Sequence, residues 1–500
     1  MSRPQAAPIA APKGTRDLYP DEHLRQAYIC KLWRDTAVRH GFEEINGPTF
    51  EMLELYKKKS GEGIVSELFS FRRQGGDDDY ALRPEFTPTL ARMYAAKAAS
   101  LPSPTKWFSI GPYFRAEKPQ RGRLREFLQW NVDILGGDTP EEQTRHDVES
   151  IGVVDSLLRG GGVPVDDVAT QLNHRGVFQQ ILSKLGIPPG SMESAFALAD
   201  RAAKINSETF IGNWMDLGAE REPGERLRRV LLDPHGVADA RDRAQGLWLQ
   251  FRSIADRLGI GELSADAAAT ERTLRALFEQ LARADVGHVQ LVPSIVRGLA
   301  YYTGTVFEVI AEGERAIAGG GRYDNLIELF GGPPTPAVGF GMGDVVLGLL
   351  LDDKGLMPQG KDLLDALSQP AASLRPDAFV IAGSEDEDAL VEPLLANLRR
   401  GIEHDGFSIQ GGGKPWAADR YAVRPVHARR TYKTTRNLKK LLSDAEKQHA
   451  RYAIVLHGED KVQVKNLDTR EELAHDERGD FSVRPESDAY VGAALAHALP

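Results

Sequence analysis

Four segments place side chains at spacings suited to chemistry on phosphates and small polar groups. The first, FRAEKPQRGRLREF (114–127), sets Arg115 and Arg125 at the two ends of a loop holding Gln120, Arg121 and Arg123, with Glu117 beside it. Guanidiniums at hairpin ends can grip phosphate oxygens through two parallel hydrogen bonds, which a lysine does poorly. A solvated hairpin with surface charge fits the same spacing. The second, LVPSIVRGLAYYTGTVFEV (291–309), puts Arg297 and a tyrosine pair around a glycine turn. Phenols and a cation can line a small polar pocket, and a core tyrosine pair on a turn is the competing reading. The third, AIAGGGRYDNLI (316–327), has three consecutive glycines, and AVGFGMG (337–343) repeats the signal. Glycines let a backbone approach a ligand or another strand, and a bulge explains them as well. The fourth, residues 420–440, carries eight Lys/Arg and no Asp or Glu, with Tyr421 and Tyr432 interleaved. That pattern suits phosphate contacts with base stacking, or a solvated helix face.

The elements that must position these residues follow from periodicity. Leu24, Tyr28, Leu32 and Trp33 recur at helical spacing between Pro20 and Gly41. The lone Cys30 lies within this helix and reads as a small buried side chain. From about 43 to 136 the pattern is strand-like: EEINGPTFE as a strand interrupted at Pro48, then YALRPEF after the GGDDD turn, then KWFSIGPYFRAE and REFLQWNVDILG joined by KPQRGR as a hairpin loop. No GxGxxG or GKS/T motif follows a strand, which disfavours a Rossmann or P-loop site. A helix over 140–160 and a strand over 167–174 precede a helical stretch over about 175–287. Strands return at 289–295, 305–313 and 315–321, and 337–351 reads as a strand running into a helix. Beyond a Ser/Pro/Ala linker at 368–376, DAFVIAG, a helix over 387–403, FSIQGGG, a helix over 433–449, YAIVLHG and KVQVKNL alternate as a small mixed α/β unit.

Bulk composition narrows the classes. A chain of 500 residues with 62 Lys+Arg against 72 Asp+Glu has a net charge of −10 and room for several domains. The single Cys excludes a disulfide framework and a cysteine zinc site, and fits a reducing cytosol. There is no apolar run of about 18 residues, so no membrane helix is expected. MSRPQAAPIAAPKG lacks the apolar core of a secretion signal, and residues 1–12 read as a disordered tail.

Together the motifs identify a family. FRAE…RGRLREF resembles motif 2 of class II aminoacyl-tRNA synthetases, and the strand ending at Pro48 resembles motif 1. KGTRDLYPDE, LRPEFTPTLARM, RGLAYYTGTVFEV and AGGGRYDNLI resemble, in that order, signatures of histidyl-tRNA synthetases. The resemblance covers about 12–350 and continues through LKKLLSDAEKQHARYAIVLHGED into the C-terminal region. It implies an α/β (α+β) fold: a class II catalytic core built on an antiparallel sheet at 13–367, carrying the helical insertion, and an anticodon-binding domain at 377–500.

The resemblance also implies the chemistry. Histidine and ATP would form histidyl-adenylate, with Mg²⁺ as the expected metal, and the acyl group would pass to the 3′ end of tRNA(His). Arg115 matches the arginine on the α-phosphate and Arg297 the one on its opposite side. Phe127 matches the residue stacked on adenine, Glu117 the reader of its amino group, and Arg123 a further ATP contact. Glu85, Thr87, Gln129, Asp133, Tyr302 and Tyr323 match the histidine pocket, Gln120 and Arg121 in the motif 2 loop match tRNA contacts, and Arg429, Arg430 and Lys433 would face the anticodon stem. No protein-held metal site is expected, motif 1 implies a homodimer, and the single Cys with no secretion signal points to a cytoplasmic location. Three departures stand out: Asp133 where the family usually has Glu, Ala300 where it has Asp, and Val346, after Val345, where motif 3 has a phosphate-gripping arginine. They favour an alternative, a synthetase-like regulatory subunit of an ATP phosphoribosyltransferase. The retained Arg115, Arg297 and C-terminal domain oppose it.

Overall fold

The computed structural model describes residues 9–233, 243–260, 267–295, 301–311, 315–403, 421–433, 435–473 and 480–499. Its centre is an eight-stranded sheet. In spatial order the strands are Glu43–Glu44, Thr105–Phe114, Glu126–Leu135, Ala337–Gly343, Ala318–Arg322, Thr305–Ala311, Val168–His174 and Val289–Leu291. All neighbours run antiparallel except at the two edges, where Glu43 pairs with Trp107 and Thr170 with Val289 in parallel. The expected hairpin is present: Thr105–Phe114 and Glu126–Leu135 pair from Thr105/Leu135 to Phe114/Glu126, joined by the arginine-rich loop.

One face of this sheet is apolar. Side chains alternate along a strand, so Trp130, Val132 and Ile134 all point to the same side and are buried. The helices Pro20–Arg39 and Pro140–Gly160 cover that side, with Trp33 stacked on Trp130 at 6.1 Å between ring centroids. The second helix opens with a capping box in which Thr139 and Glu142 satisfy each other's backbone N–H. Gly41 ends the first helix with a φ of 78°. Burial pushes the Cys30 thiol up to about 11 despite the Arg34 charge, as fits an inert packed side chain.

Some expectations need correction. EEINGPTFE is two strands in different sheets: Glu43–Glu44 in the large one, Phe50–Met52 in a three-stranded sheet with Asp79–Leu82 and Ser70–Arg72. Pro48, which lacks an N–H, stands at the break. Between 175 and 287 the described residues are helical, beginning with Arg175–Lys184. The helices Leu53–Ser60 and Thr87–Ala95, unanticipated from sequence, pack beside the site described below. FSIQGGG and the first eight residues of the expected tail lie outside the described residues.

The C-terminal region forms a mixed sheet ordered Ala428–Arg430, Ala378–Ala382, Tyr452–Leu456, Val462–Asn466 and Glu472–Leu473. Part of the basic run is therefore a strand, paired in parallel with Ala378–Val380. Among the described residues no helix is long and apolar enough to cross a membrane.

A buried charge cluster joins the two sheets. Glu149, on Pro140–Gly160, accepts from Lys106 Nζ at 2.8 Å, from Arg399 Nη1 at 3.0 Å and from the Tyr432 hydroxyl at 3.0 Å. Lys106 belongs to the large sheet, and Arg399 and Tyr432 to the C-terminal region. These cations hold the Glu149 carboxyl well below its usual range against the opposing effect of burial, and burial lowers Lys106 to about 8. Removing one partner of such a cluster strands the others away from water. Glu149→Ala should therefore lower stability at pH 7 by about 3–5 kcal/mol in chemical denaturation. Because the Glu149 pKa is depressed on folding, the difference from the wild type should shrink as pH falls below the ordinary glutamate value. A loss under about 1 kcal/mol would show that the cluster is not stabilising.

Candidate active site

The opposite face of the sheet forms the floor of a cavity of about 420 Å³. Phe127, Gln129, Asn131 and Asp133 follow one another at every second position of Glu126–Leu135 and all line it. The neighbouring strand Ala337–Gly343 brings Gly339 opposite Asp133 and Gly341 opposite Asn131. A Cβ on Gly339 would lie 2.1 Å from Asp133 Oδ1, and one on Gly341 would lie 2.6 Å from Gln129 Nε2. Gly320 of the next strand is equally confined, its Cβ position being 2.1 Å from the Gly339 carbonyl. The two glycine runs thus keep this floor open for the polar side chains of the third strand.

At one end of the cavity lies a buried polar group. Tyr323 donates to Asp133 Oδ1, and its ring packs edge-on against Tyr301, which contacts Tyr302 at 4.7 Å. Burial pushes the Asp133 carboxyl up to about 7, opposed by the Tyr323 hydrogen bond. Gln129 Nε2 donates to Asn131 Oδ1 at 2.7 Å and Asn131 Nδ2 to the Tyr113 hydroxyl at 3.0 Å, which fixes both amides. Glu85 and Thr87 line the same cavity. Glu85 pairs with Lys59, a buried lysine that also lies 4.1 Å from the Tyr301 ring centroid.

The loop of the hairpin closes the other end. The Arg115 guanidinium lies 5.1 Å from the Phe127 ring centroid, and its Nε donates to the Pro84 carbonyl at 3.2 Å. Arg123 is bound to Glu117, and the exposed Arg121 pairs with Asp353 at 3.1 Å. Gln120 is exposed on the loop. The N-terminal segment runs along this hairpin: the Gly14 carbonyl accepts from Arg125 N at 2.8 Å, and Arg16 Nη2 donates to Asp344 Oδ2 at 2.6 Å. Asp344 Oδ1 in turn accepts from Leu128 N at 3.0 Å.

Most of the residues expected at the site converge. Glu85, Thr87, Arg115, Arg123, Phe127, Gln129, Asp133, Tyr302 and Tyr323 line one cavity, and Glu117 reaches it through Arg123. Arg297 and Ala300 lie outside the described residues. Arg429 is half-buried and donates to His427 Nε2 at 3.1 Å. Arg430 is buried and bound to Glu392, so its guanidinium does not reach the surface. Lys433 is exposed and pairs with Asp444 at 2.7 Å. Asn131, Lys59 and Arg315 were not anticipated. The alternation through Gln129 and Asp133 was a signal for Asn131, whereas nothing local marked Lys59. Among the described residues no three His, Cys, Asp or Glu side chains converge as a metal site.

Asp133 is the titratable group most distinctive of this cavity. Its folded pKa is raised above the ordinary 3.8 to about 7, so its stabilising contribution is complete below pH 3.8 and is lost as pH rises through 7. Asp133→Asn should therefore gain stability relative to the wild type as pH rises from about 4 to about 7 in thermal melts. Parallel pH profiles for the two proteins would overturn this account of the carboxyl.

A family model described as histidyl-tRNA synthetase matches residues 14–343. A histidine–tRNA ligase of Opitutus terrae is 39% identical over 351 residues, covering 69% of this chain and 75% of that protein. One of Thermoplasma volcanium is 35% identical over 408 residues, covering 78% and 89%. The solved structure of a histidine–tRNA ligase subunit from Alicyclobacillus acidocaldarius aligns with a TM-score of 0.54 at 26% identity, over 70% of this chain and 99% of that one. A histidyl-tRNA synthetase from a Nostoc species, at 19% identity and a TM-score of 0.54, covers 99% of this chain and 100% of its own, a likeness of fold. With well over half its length matched by the family model, and with a floor strand, hairpin and glycine runs that fall inside the matched region, this chain belongs to the histidyl-tRNA synthetase family.

Proposed function

We propose that the cavity activates histidine with ATP and hands the histidyl group to the 3′ end of tRNA(His), the work of a histidine–tRNA ligase. One observation carries this reading. An arginine over an aromatic ring at the loop end and a buried carboxyl–phenol pair at the other end share one floor strand. The first suits a nucleotide and the second a small amino acid with polar ring nitrogens.

In the first step a histidine carboxylate oxygen bonds to the α-phosphorus of ATP, and the bond from that phosphorus to its bridging oxygen breaks, releasing pyrophosphate. Arg115 holds the α-phosphate oxygens as charge shifts onto the leaving group. Arg297 takes the opposite side in this reading. Phe127 stacks on adenine, Glu117 reads its amino group, and Arg123 adds a contact. Mg²⁺, brought in with ATP, would help neutralise the charge on the leaving phosphates. In the second step a terminal ribose hydroxyl attacks the histidyl carbonyl carbon and AMP leaves.

Specificity for histidine is read by Asp133, Tyr323, Tyr302, Gln129, Glu85 and Thr87. An amino acid lacking ring nitrogens would leave the buried carboxyl and phenol unpaired. Asp133 is shorter than the usual glutamate by one methylene, and the Tyr323 hydroxyl bridges to it. For tRNA, the exposed Gln120, Arg121 and Lys433 are placed to meet phosphate, together with Lys439 and Lys440. Arg430, and to a lesser degree Arg429, serve as internal supports of that surface. The domain division at 368–376 follows the two sheets. A homodimer is supported by an exposed aromatic cluster just after Pro48: Phe50 and Phe71 are 50% and 43% exposed, and each lies 5.7 Å from the Tyr80 ring. A second copy would cover such a patch. The cytoplasm, where charged tRNA is used, is the compartment this reading implies.

The purified protein should exchange labelled pyrophosphate into ATP only when histidine is supplied. Arg115→Ala should lower that rate by about 10²–10³-fold with little change in melting temperature. Absence of exchange with every amino acid would refute the ligase reading and favour a regulatory subunit. In filter binding at graded salt, Lys433→Gln with Lys439→Gln should weaken tRNA binding and flatten the salt slope by about one unit for each phosphate no longer neutralised. Arg430→Ala should instead lower the melting temperature. An unchanged slope in the lysine variant would assign this run to ordinary solvated surface.

A further inference from the structure

Three cations line the cavity among the described residues: Arg115, Arg123 and Arg315. Two have evident employment. Arg123 is bound to Glu117, and Arg115 is held between the Pro84 carbonyl and the Phe127 ring. Arg315 stands just before the strand Ala318–Arg322, is exposed, and has no ion-pair partner among the described residues. Its position is tied to the hairpin. A Cβ on Gly122, whose φ of 72° keeps it a glycine, would lie 3.3 Å from Val346 Cγ2 and 3.5 Å from Arg315 Cδ. The stem of Arg315 and the side chain of Val346 therefore flank the same turn of the phosphate-facing loop.

The cavity wall beside this turn is apolar. Val345 and Val346 line it at the start of the helix Asp344–Asp353, and neither can balance phosphate charge. Adenosine triphosphate brings two further phosphates beyond the one at Arg115. From Phe127 to Asp133 the floor strand runs roughly 20 Å at about 3.3 Å per residue. Base and phosphates therefore share the loop end, and the amino acid takes the far end. Without a further counter-charge at this turn, the outer phosphates would face two valines in a partly desolvated cleft, a costly arrangement.

We propose that Arg315, reaching across Val346 from the strand side, is the guanidinium that grips the outer phosphates of ATP and the pyrophosphate product. The proposal rests on the ligase reading for its substrate. It makes a definite separation: Arg315 contacts groups present in ATP and pyrophosphate and absent from AMP and histidyl-adenylate.

The test compares wild type, Arg315→Ala and Arg315→Lys. By titration calorimetry with ATP and with AMP, Arg315→Ala should bind ATP about 10–100-fold more weakly, with AMP unchanged. In pyrophosphate exchange the KM for ATP should rise by a similar factor. Transfer of histidine from preformed adenylate to tRNA should keep its wild-type rate. Arg315→Lys should recover part of the loss, because charge remains while the paired hydrogen bonds go. Equal weakening of ATP and AMP, or no weakening of either, would overturn the proposal. The calorimetry needs no turnover, so a wild-type protein that binds ATP but fails to exchange pyrophosphate would refute the ligase reading while the ATP-to-AMP comparison still decides Arg315.

Discussion

The molecule depends on the alternation of a single strand. Glu126–Leu135 turns Trp130, Val132 and Ile134 into the core and Phe127, Gln129, Asn131 and Asp133 into the cavity. A slip of one residue in its register would exchange the two sets, placing a carboxylate and two amides against tryptophan. The glycine strand beside it permits only the observed register, because the Cβ-free positions fall opposite Asp133 and Asn131. Core packing and the lining of the cavity are thus two faces of one constraint.

Buried ion pairs then hold the neighbouring strands to that register. Arg322, two strands away, is bound to Asp147 of the core helix and donates to Asp324 at 3.1 Å, while Asp147 accepts from Thr305 at 2.7 Å. Tyr323 lies between Arg322 and Asp324, so its hydroxyl is aimed at Asp133 by groups that do not line the cavity. Broken networks of this kind are costly because each remaining charge is shut away from water. The RYD triplet combines a structural residue on each side with a cavity-lining residue between them.

Much of this was legible in the sequence, for identifiable reasons. The long strands, the Pro20 and Pro140 helices and the hairpin carry strong periodicity, and the arginines of the hairpin stand in a motif whose place in the order is specific. What was not legible depended on tertiary packing. Arg430 is one of eight cations in an acid-free run, and only the pairing of Ala428–Arg430 with Ala378–Val380 shows that it turns inward to Glu392. Lys59 is brought to Glu85 by a short helix with no distinctive pattern. The division of EEINGPTFE between two sheets reflects where each half finds a partner strand, which a local run cannot express.

The strap formed by residues 13–16 has a consequence for how the protein is made. Arg16 leaves the ribosome early, yet its partner Asp344 follows 328 residues later. At about 10 residues per second this interval is on the order of half a minute. The hairpin loop, the glycine strand and the N-terminal strap can lock together only after that delay. A nascent chain therefore cannot present a finished cavity before the whole central sheet has emerged, and a truncated product ends without one.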